Sequence, residues 1–307
     1  MPAAPGAKMM EYLVARLAAL PLLSPVAVLL DDVLRDPRTM VEEVAQIVAQ
    51  DPPIAMRMIR AVNSAYYGLP EPLTDLHRAI RILGFDAVQE IARQPSLLQL
   101  FAIRRPEDAP FNVRMEGLWQ HAIATGVAAR ILWQRQESGD ALPAFTVGLL
   151  HDVGKAALLL LWPDMAERAL ALARTERLSL VMAERRLLPF DHAQLGRALC
   201  QVFGQPEAIA FAVGRHHNVR SGARDEACSV LAAIAHVADI LARALGAGWW
   251  GDHVMPRLDL AARVTLSLQG GDARALLDAV EVAYPQALIT LRNFFPARVA
   301  MLPAARH

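Results

Sequence analysis

The sequence predicts an all-α fold, a multi-helix bundle with an N-terminal helical lobe, on three observations. Apolar residues recur at helical spacing along almost the whole chain. Period-two alternation between turn residues is nearly absent, and caps and prolines fall where helices should begin. With 54% apolar and 20% charged residues among 307, the chain can bury a core without disulfide or metal staples.

The opening MPAAPGAKMMEYLVARL has no apolar h-region and turns amphipathic at once, so no signal peptide is expected and residues 1–12 read as a tail. Asp51-Pro52-Pro53 then sets a cap and two prolines ahead of IAMRMIRAVNSAYY. There Ile54, Met58, Ile59 and Val62 share one face, and Gly68 closes the unit. Residues 73–83 and 86–100 read as a helical hairpin about Gly84, and the polar stretch 104–110 as an internal boundary. A long helix follows over 113–137, then 143–151, a turn at Gly154, and 155–162. Further helices are predicted over 165–176, 180–188, 192–203, 207–217, 226–245, 258–268 and 272–294, the last kinked at Pro285. Residues 13–220 read as one domain with lobes of about 13–105 and 111–220, and 221–307 as an extension completing the second lobe.

Equal numbers of basic and acidic residues, 31 of each, leave no field to attract a phosphate backbone. A dedicated DNA- or RNA-binding protein is therefore disfavoured, but a small nucleotide ligand is not. Cys200 and Cys228 form no CxxC pair and read as buried apolar residues in a reducing cytoplasm. The apolar windows 141–162 and 227–250 carry His151, Asp152, Lys155, His236, Asp239 and Arg243, which a bilayer would penalise, so no membrane span is expected.

Nine histidines occur, seven of them between His121 and His253. A lone histidine is usually a satisfied core or surface residue, and His77, His236, His253 and His307 are read so. The others form a progression: His121, His151-Asp152, His192, His216-His217, with Asp239 in an apolar setting. Adjacent imidazole and carboxylate suit Fe, Mn or Zn, and the carboxylate can bridge two ions. The alternative is a dry hydrogen-bonded knot. Leaving such groups unsatisfied would cost roughly 1 to 3 kcal/mol each, more in sum than a domain's net stability, so something must satisfy them.

GLLHDVGK at residues 148–155 resembles the HD-superfamily signature of metal-dependent phosphohydrolases. The wider chain resembles the HDOD family, bacterial signalling modules related to the HD-GYP phosphodiesterases. LPLLSPVA at 20–27, DPPIAMRMIRAVNSAYYG at 51–68, AIRILGFDAVQ at 79–89 and DHAQLG…HH over 191–217 carry the likeness. The resemblance implies an all-helical regulatory protein, many relatives of which have lost the metal ligands. Here it implies the whole ligand set of a binuclear site: His121, His151, Asp152, His192, His216, His217 and Asp239. His121 and Asp239 would serve one divalent ion, His192, His216 and His217 the other, and Asp152 would bridge. Lys155, one of only two lysines, stands where related phosphodiesterases contact substrate phosphate, its bland alternative being an exposed first-turn residue. Asp152 and Lys155 are thus the catalytic candidates.

Two departures stand against a phosphodiesterase. No DGxGYP-type loop follows His216-His217, where the chain reads NVRSGARDEA, and Gly117 replaces the glutamate of trinuclear members, so no third metal is expected. Two readings result: a cytoplasmic regulatory module that binds metal and a nucleotide or cyclic dinucleotide and signals to a protein partner, or an active phosphohydrolase using the same site. Asn63, Ser64, Tyr66, Tyr67 and Gly68 read as capping, packing and turn residues, and the Arg104-Arg105 and Arg185-Arg186 pairs as solvated faces. The residues beyond Asp239, with Trp249-Trp250 and the last helix, would dock a partner, form a homodimer, or pack on their own domain.

Overall fold

A computed structural model describes residues 5–20, 22–64, 66–136, 140–219, 226–249 and 251–292. The fold is all-α, with no β-strand among the described residues. The ends of the predicted helices at 137 and 293–294, and Trp250, lie outside the described residues.

The N-terminal lobe holds α2 (Pro25–Val33), α3 (Val41–Val48), α4 (Pro52–Val62) and α5 (Leu76–Ala92). Its helix starts follow local capping chemistry. Ser24, Asp51 and Asp75 side chains accept from the backbone N–H of Val26, Ile54 and Arg78, with Pro25 and Pro52 pre-set in the first turns. Leu30, Val44, Ile54, Met58, Ile80 and Val88 make a fully buried core. The helical run breaks at Gly84 as expected: Gly84 leaves helical geometry (φ 75°, ψ 160°) between two helical stretches, which a residue without Cβ can do cheaply. The helix stops at Ala92 rather than at 100, because Pro95 cannot continue it, and a short α6 (Gln99–Ala102) follows.

The second lobe is built around α7 (Ala109–Gln136), buried through most of its length. Around it lie α8 (Leu142–Leu150), α9 (Val153–Leu161), α10 (Pro163–Glu176), α11 (Leu180–Leu187), α12 (His192–Val202), α13 (Glu207–Arg215), α14 (Glu226–Ala244), α15 (Leu260–Thr265) and α16 (Asp272–Arg292). Helices α8, α14 and α16 pack on α7, and α12 packs on both α9 and α13. Helix α16 runs through Pro285 without interruption. The segment beyond residue 220 therefore supplies walls of this lobe.

Two boundaries and one pair of side chains differ from expectation. Residues 5–12 belong to a helix, α1 (Pro5–Ala18), whose Leu13, Val14 and Leu17 are buried in the second lobe's core against α9 and α12. Leu97 to Ile103 also join that core, so the lobes divide near residues 93–96 instead of 104–110. Arg104 and Arg105 are half-buried struts rather than a solvated face: Arg104 donates to the Phe101 carbonyl and Glu116, and Arg105 to the Leu160 carbonyl.

Close helix crossings make the second lobe possible. A Cβ on Gly148 would lie 2.6 Å from the Thr125 carbonyl oxygen, and one on Gly154 would lie 2.0 Å from that of His192. The 142–161 and 227–244 stretches are long and apolar enough to cross a membrane, but 89% and 72% of their windows are buried in the helical core.

Candidate metal centre

Five elements converge on Asp152. The α8 helix ends at His151 and α9 begins after Asp152, so the pair occupies the break between them. His121 comes from the middle of α7, Asp239 from α14, His192 from the first turn of α12, and His216 and His217 from just past the end of α13. Six of these seven residues are buried, and His217 is half-buried.

Their ring orientations are fixed from behind. His151 Nδ1 donates to the Gly148 carbonyl at 2.8 Å, and His216 Nδ1 to the Val213 carbonyl at 2.7 Å; each ring folds back onto an otherwise unpaired carbonyl of its own helix end. His192 Nδ1 donates to Glu184 Oε2 at 2.6 Å, and the same oxygen accepts from the His192 backbone N–H at 2.8 Å. In the neutral rings each Nε2 is therefore a bare lone pair.

Those lone pairs face a carboxylate that can only accept. His192 Nε2 and His216 Nε2 lie 3.4 and 3.7 Å from Asp152 Oδ1, while His151 Nε2 and His121 Nε2 lie 3.2 and 3.8 Å from Asp152 Oδ2. Among the described residues, His151 Nε2, His216 Nε2 and Asp152 Oδ1 make no hydrogen bond. On the other flank His121 Nε2 is 3.0 Å and His151 Nε2 3.9 Å from Asp239 Oδ1. The donors sort into two groups that could each hold an ion: Asp152, His192, His216 and His217, and His121, His151 and Asp239. Acceptors opposed in this way in a dry interior could hold a cation among them, so these residues fit a metal.

The electrostatics agree. Burial opposes ionisation of Asp152, but His151 and Lys155 outweigh it and hold the carboxyl well below its usual range. Burial is likewise overcome at Asp239, chiefly by Arg243 and then His121. Burial, with His151 adjacent, pushes His216 down to about 3. Both carboxylates are thus charged and the His216 imidazole neutral, the states that metal ligation uses.

All seven residues expected as ligands are brought together. In place of the pairing of His121 and Asp239 alone, His151 stands with them. Lys155 is not an exposed first-turn residue: it is 3% exposed, with Nζ 2.6 Å from Asp152 Oδ2. His236 is a satisfied core histidine, its Nδ1 donating to the His216 carbonyl and its Nε2 accepting from the Asp259 backbone N–H. Asn63 clamps a loop through paired 2.7 Å bonds to the Leu73 N–H and carbonyl. Tyr66, expected to pack, is 88% exposed and touches Tyr67 edge-on. Of the arginine pair on α11, Arg185 reaches the buried Asp191 and Arg186 meets the exposed Glu176.

Sequence reasoning missed Glu184, Arg243 and Asp252. Arg243 Nε donates to Asp239 Oδ1 at 2.8 Å, and its Nη1 lies 3.2 Å from Asp252 Oδ1. The four-residue spacing from Asp239 was a usable signal for Arg243, since it places both on one helix face. Nothing comparable marks Glu184 or Asp252. The bare Cα of Gly117 has a structural reason too: the Trp249 N–H donates to the Gly117 carbonyl at 2.9 Å, and a Cβ there would lie 2.6 Å from that of Trp249.

The family profile for the HDOD domain matches residues 20–219, about two thirds of the chain and all of the ligand set except Asp239. The chain belongs to the HDOD domain family. An uncharacterized protein of Treponema pallidum (strain Nichols) is 24% identical over 189 residues, 61% of this chain; the match spans about a third, 35%, of that relative. A crystal structure of an HDOD domain protein of unknown function from Geobacter sulfurreducens superposes with a TM-score of 0.56 at 20% identity, covering 94% of this chain and 99% of the other. The MmoQ response regulator of Methylococcus capsulatus str. Bath gives 0.53 at 25% identity over 85% and 99%. The two solved structures share the fold of this chain.

Proposed function

We propose that this HDOD protein is a bacterial, cytoplasmic signalling module that takes a divalent metal, Fe, Mn or Zn, at the His/Asp cluster. It binds a nucleotide or cyclic dinucleotide there and passes its state to a protein partner. The observation that carries this reading is the meeting of the His151 and His216 Nε2 atoms, neither hydrogen-bonded among the described residues, and of His192 Nε2 with the Asp152 carboxylate in the protein interior. The two donor groups offer a place on either side of Asp152.

Regulation is favoured over turnover by how the site is enclosed. Only His217 among the ligands is half-buried, and Lys155 is engaged with Asp152 inside a cavity lined by Leu159, Leu170, Glu184 and Trp249. The likeness to a response regulator supports the same reading. The zero net charge supports a small ligand over a nucleic acid. Val264, Val282 and Ile289 expose apolar side chains on α15 and α16, the surface offered to a protein partner or a second copy.

The second reading, a metal-dependent phosphohydrolase or phosphodiesterase, is favoured by the completeness of the ligand set. Bound metal supplies Lewis-acid polarisation of a phosphoryl oxygen. Asp152 would hold the ion, and Lys155 would balance phosphate charge.

Metal-loaded protein incubated with cyclic di-GMP separates the two. Equilibrium dialysis that retains intact nucleotide, with no product on chromatography, is expected of the signalling module. Linear dinucleotide or mononucleotide product establishes the hydrolase, and neither retention nor product refutes the nucleotide assignment.

A further inference from the structure

Two cationic side chains reach into the cluster, and both reach the same half of it. Lys155 Nζ lies 2.6 Å from Asp152 Oδ2, the oxygen that faces His151 and His121. Arg243 Nε lies 2.8 Å from Asp239 Oδ1, the oxygen that faces the same two rings. Arg243 is itself held by Asp252 Oδ1 at 3.2 Å and by the Val254 carbonyl at 3.2 Å, so it is anchored rather than adventitious. Both side chains are at least 95% buried, where charges are weakly screened. Two cations therefore stand on the His121, His151 and Asp239 side, Arg243 on its one carboxylate and Lys155 on the oxygen of the shared Asp152 that faces it.

The other group is charged in the opposite sense. Asp152 Oδ1 has no hydrogen-bond partner among the described residues, and His216 Nε2 likewise. His192 Nε2 lies 2.8 Å from His217 Nε2, so the imidazoles of this group crowd together around a common point. Behind His192 stands the buried Glu184, whose Oε2 accepts from both the ring Nδ1 and the backbone N–H and so fixes the ring's orientation.

We infer that the centre is electrostatically asymmetric and holds one divalent ion. That ion sits at Asp152 Oδ1, His192, His216 and His217, while Lys155 and Arg243 stand in for the second cation at His121, His151 and Asp239. The inference rests on the metal reading above and narrows it: seven ligands are present, but only one position is free of built-in positive charge. The pair of side chains makes the protein a one-metal binder by charge compensation rather than by loss of ligands.

The test is a count of ions per chain. Metal-free protein titrated with Co²⁺ is followed by native mass spectrometry and by the visible Co²⁺ absorption of the bound ion. One ion per wild-type chain is expected, abolished in His192→Ala and retained in His121→Ala. Arg243→Gln and Lys155→Gln keep a hydrogen-bond donor and remove the charge, and the double variant is expected to take a second ion. Two ions on the wild type, or one ion lost in His121→Ala and kept in His192→Ala, overturns the inference and leaves the metal reading standing. No ion on a folded wild type overturns both. If the double variant does not fold, the wild-type count and the two histidine variants still decide; if it folds and takes only one ion, charge compensation is refuted.

Discussion

At the residue scale, the buried imidazoles make stability depend on pH in a definite direction. His216 is held neutral, down to about 3, by burial with His151 beside it, and burial lowers His121 too, against the pull of Asp239. A histidine whose folded pKa is depressed leaves the unfolded chain to bind the proton first. Its contribution is complete above the unfolded value of about 6.5 and is lost as the pH falls from there toward the folded value. His151 runs the other way, since Asp152 outweighs its burial and raises it, so it offsets part of the loss. For His216 alone, going from pH 7 to pH 5 removes about 2 kcal/mol. The urea midpoint of chelator-treated protein should fall over that interval, and a midpoint that does not move contradicts the assignment of His216 as a buried neutral ring. At this scale the seven residues that converge on Asp152 were legible as candidates because their order along the chain follows the family pattern. Glu184 was not, because it lies on α11 and His192 on α12, and only the turn between those helices brings the two together.

At the element scale, some helix ends were legible where chemistry marks them. Asp51 was read as a cap from the sequence; Ser24, Asp75 and Asp191 cap helices in the same way, the last within a capping box completed by Gln194, but were not read as caps, and α2 and α3 were not predicted. Gly84 was read as the break between two helical stretches, and it is that break, at φ 75° and ψ 160°. Gly154 shows the limit of such reading. By propensity alone, alanine at this first-turn position of α9 should stabilise the helix by up to about 1 kcal/mol. The structure reverses the sign: the new Cβ would lie 2.0 Å from the His192 carbonyl oxygen, a backbone atom that no rotamer change can move. Overpacking of this kind costs about 1 to 3 kcal/mol. Gly154→Ala should therefore lower the urea midpoint, and it should weaken metal binding because α9 and α12 carry Asp152 and His192. Gly270→Ala, where nothing lies within 4 Å, serves as the control with no such change. A stable Gly154→Ala protein with unaltered metal affinity would show that the two helices do not need this contact.

At the scale of the whole molecule, the chain forms two apolar cores joined by a small number of buried polar ties. Arg57 Nη1 and Nη2 donate to the carbonyls of Pro95 and Gln94 at 2.9 and 3.2 Å, and the Ser96 N–H donates to the Leu22 carbonyl at 2.8 Å. Across the lobes, Arg60 Nη1 reaches the Gln205 carbonyl at 3.2 Å, and Gln205 Nε2 donates to the Pro53 carbonyl at 3.1 Å. Proline-containing helix start α4 thus docks on the loop between α12 and α13, the two helices that carry His192 and His216. Metal bound in the second lobe stabilises only what unfolds with it; at a hundredfold excess over Kd the gain is about 2.7 kcal/mol. If the ties couple the lobes, calorimetry should give one transition that metal moves upward as a unit. In an Arg57→Met, Arg60→Met, Gln205→Met triple variant the side-chain ties are cut while most of each side chain's apolar stem is kept. The N-terminal core, residues 26–92, should then melt in a separate, lower transition that no longer responds to metal. A single metal-sensitive transition in that variant would place the coupling in the apolar contact between α4 and α8 instead.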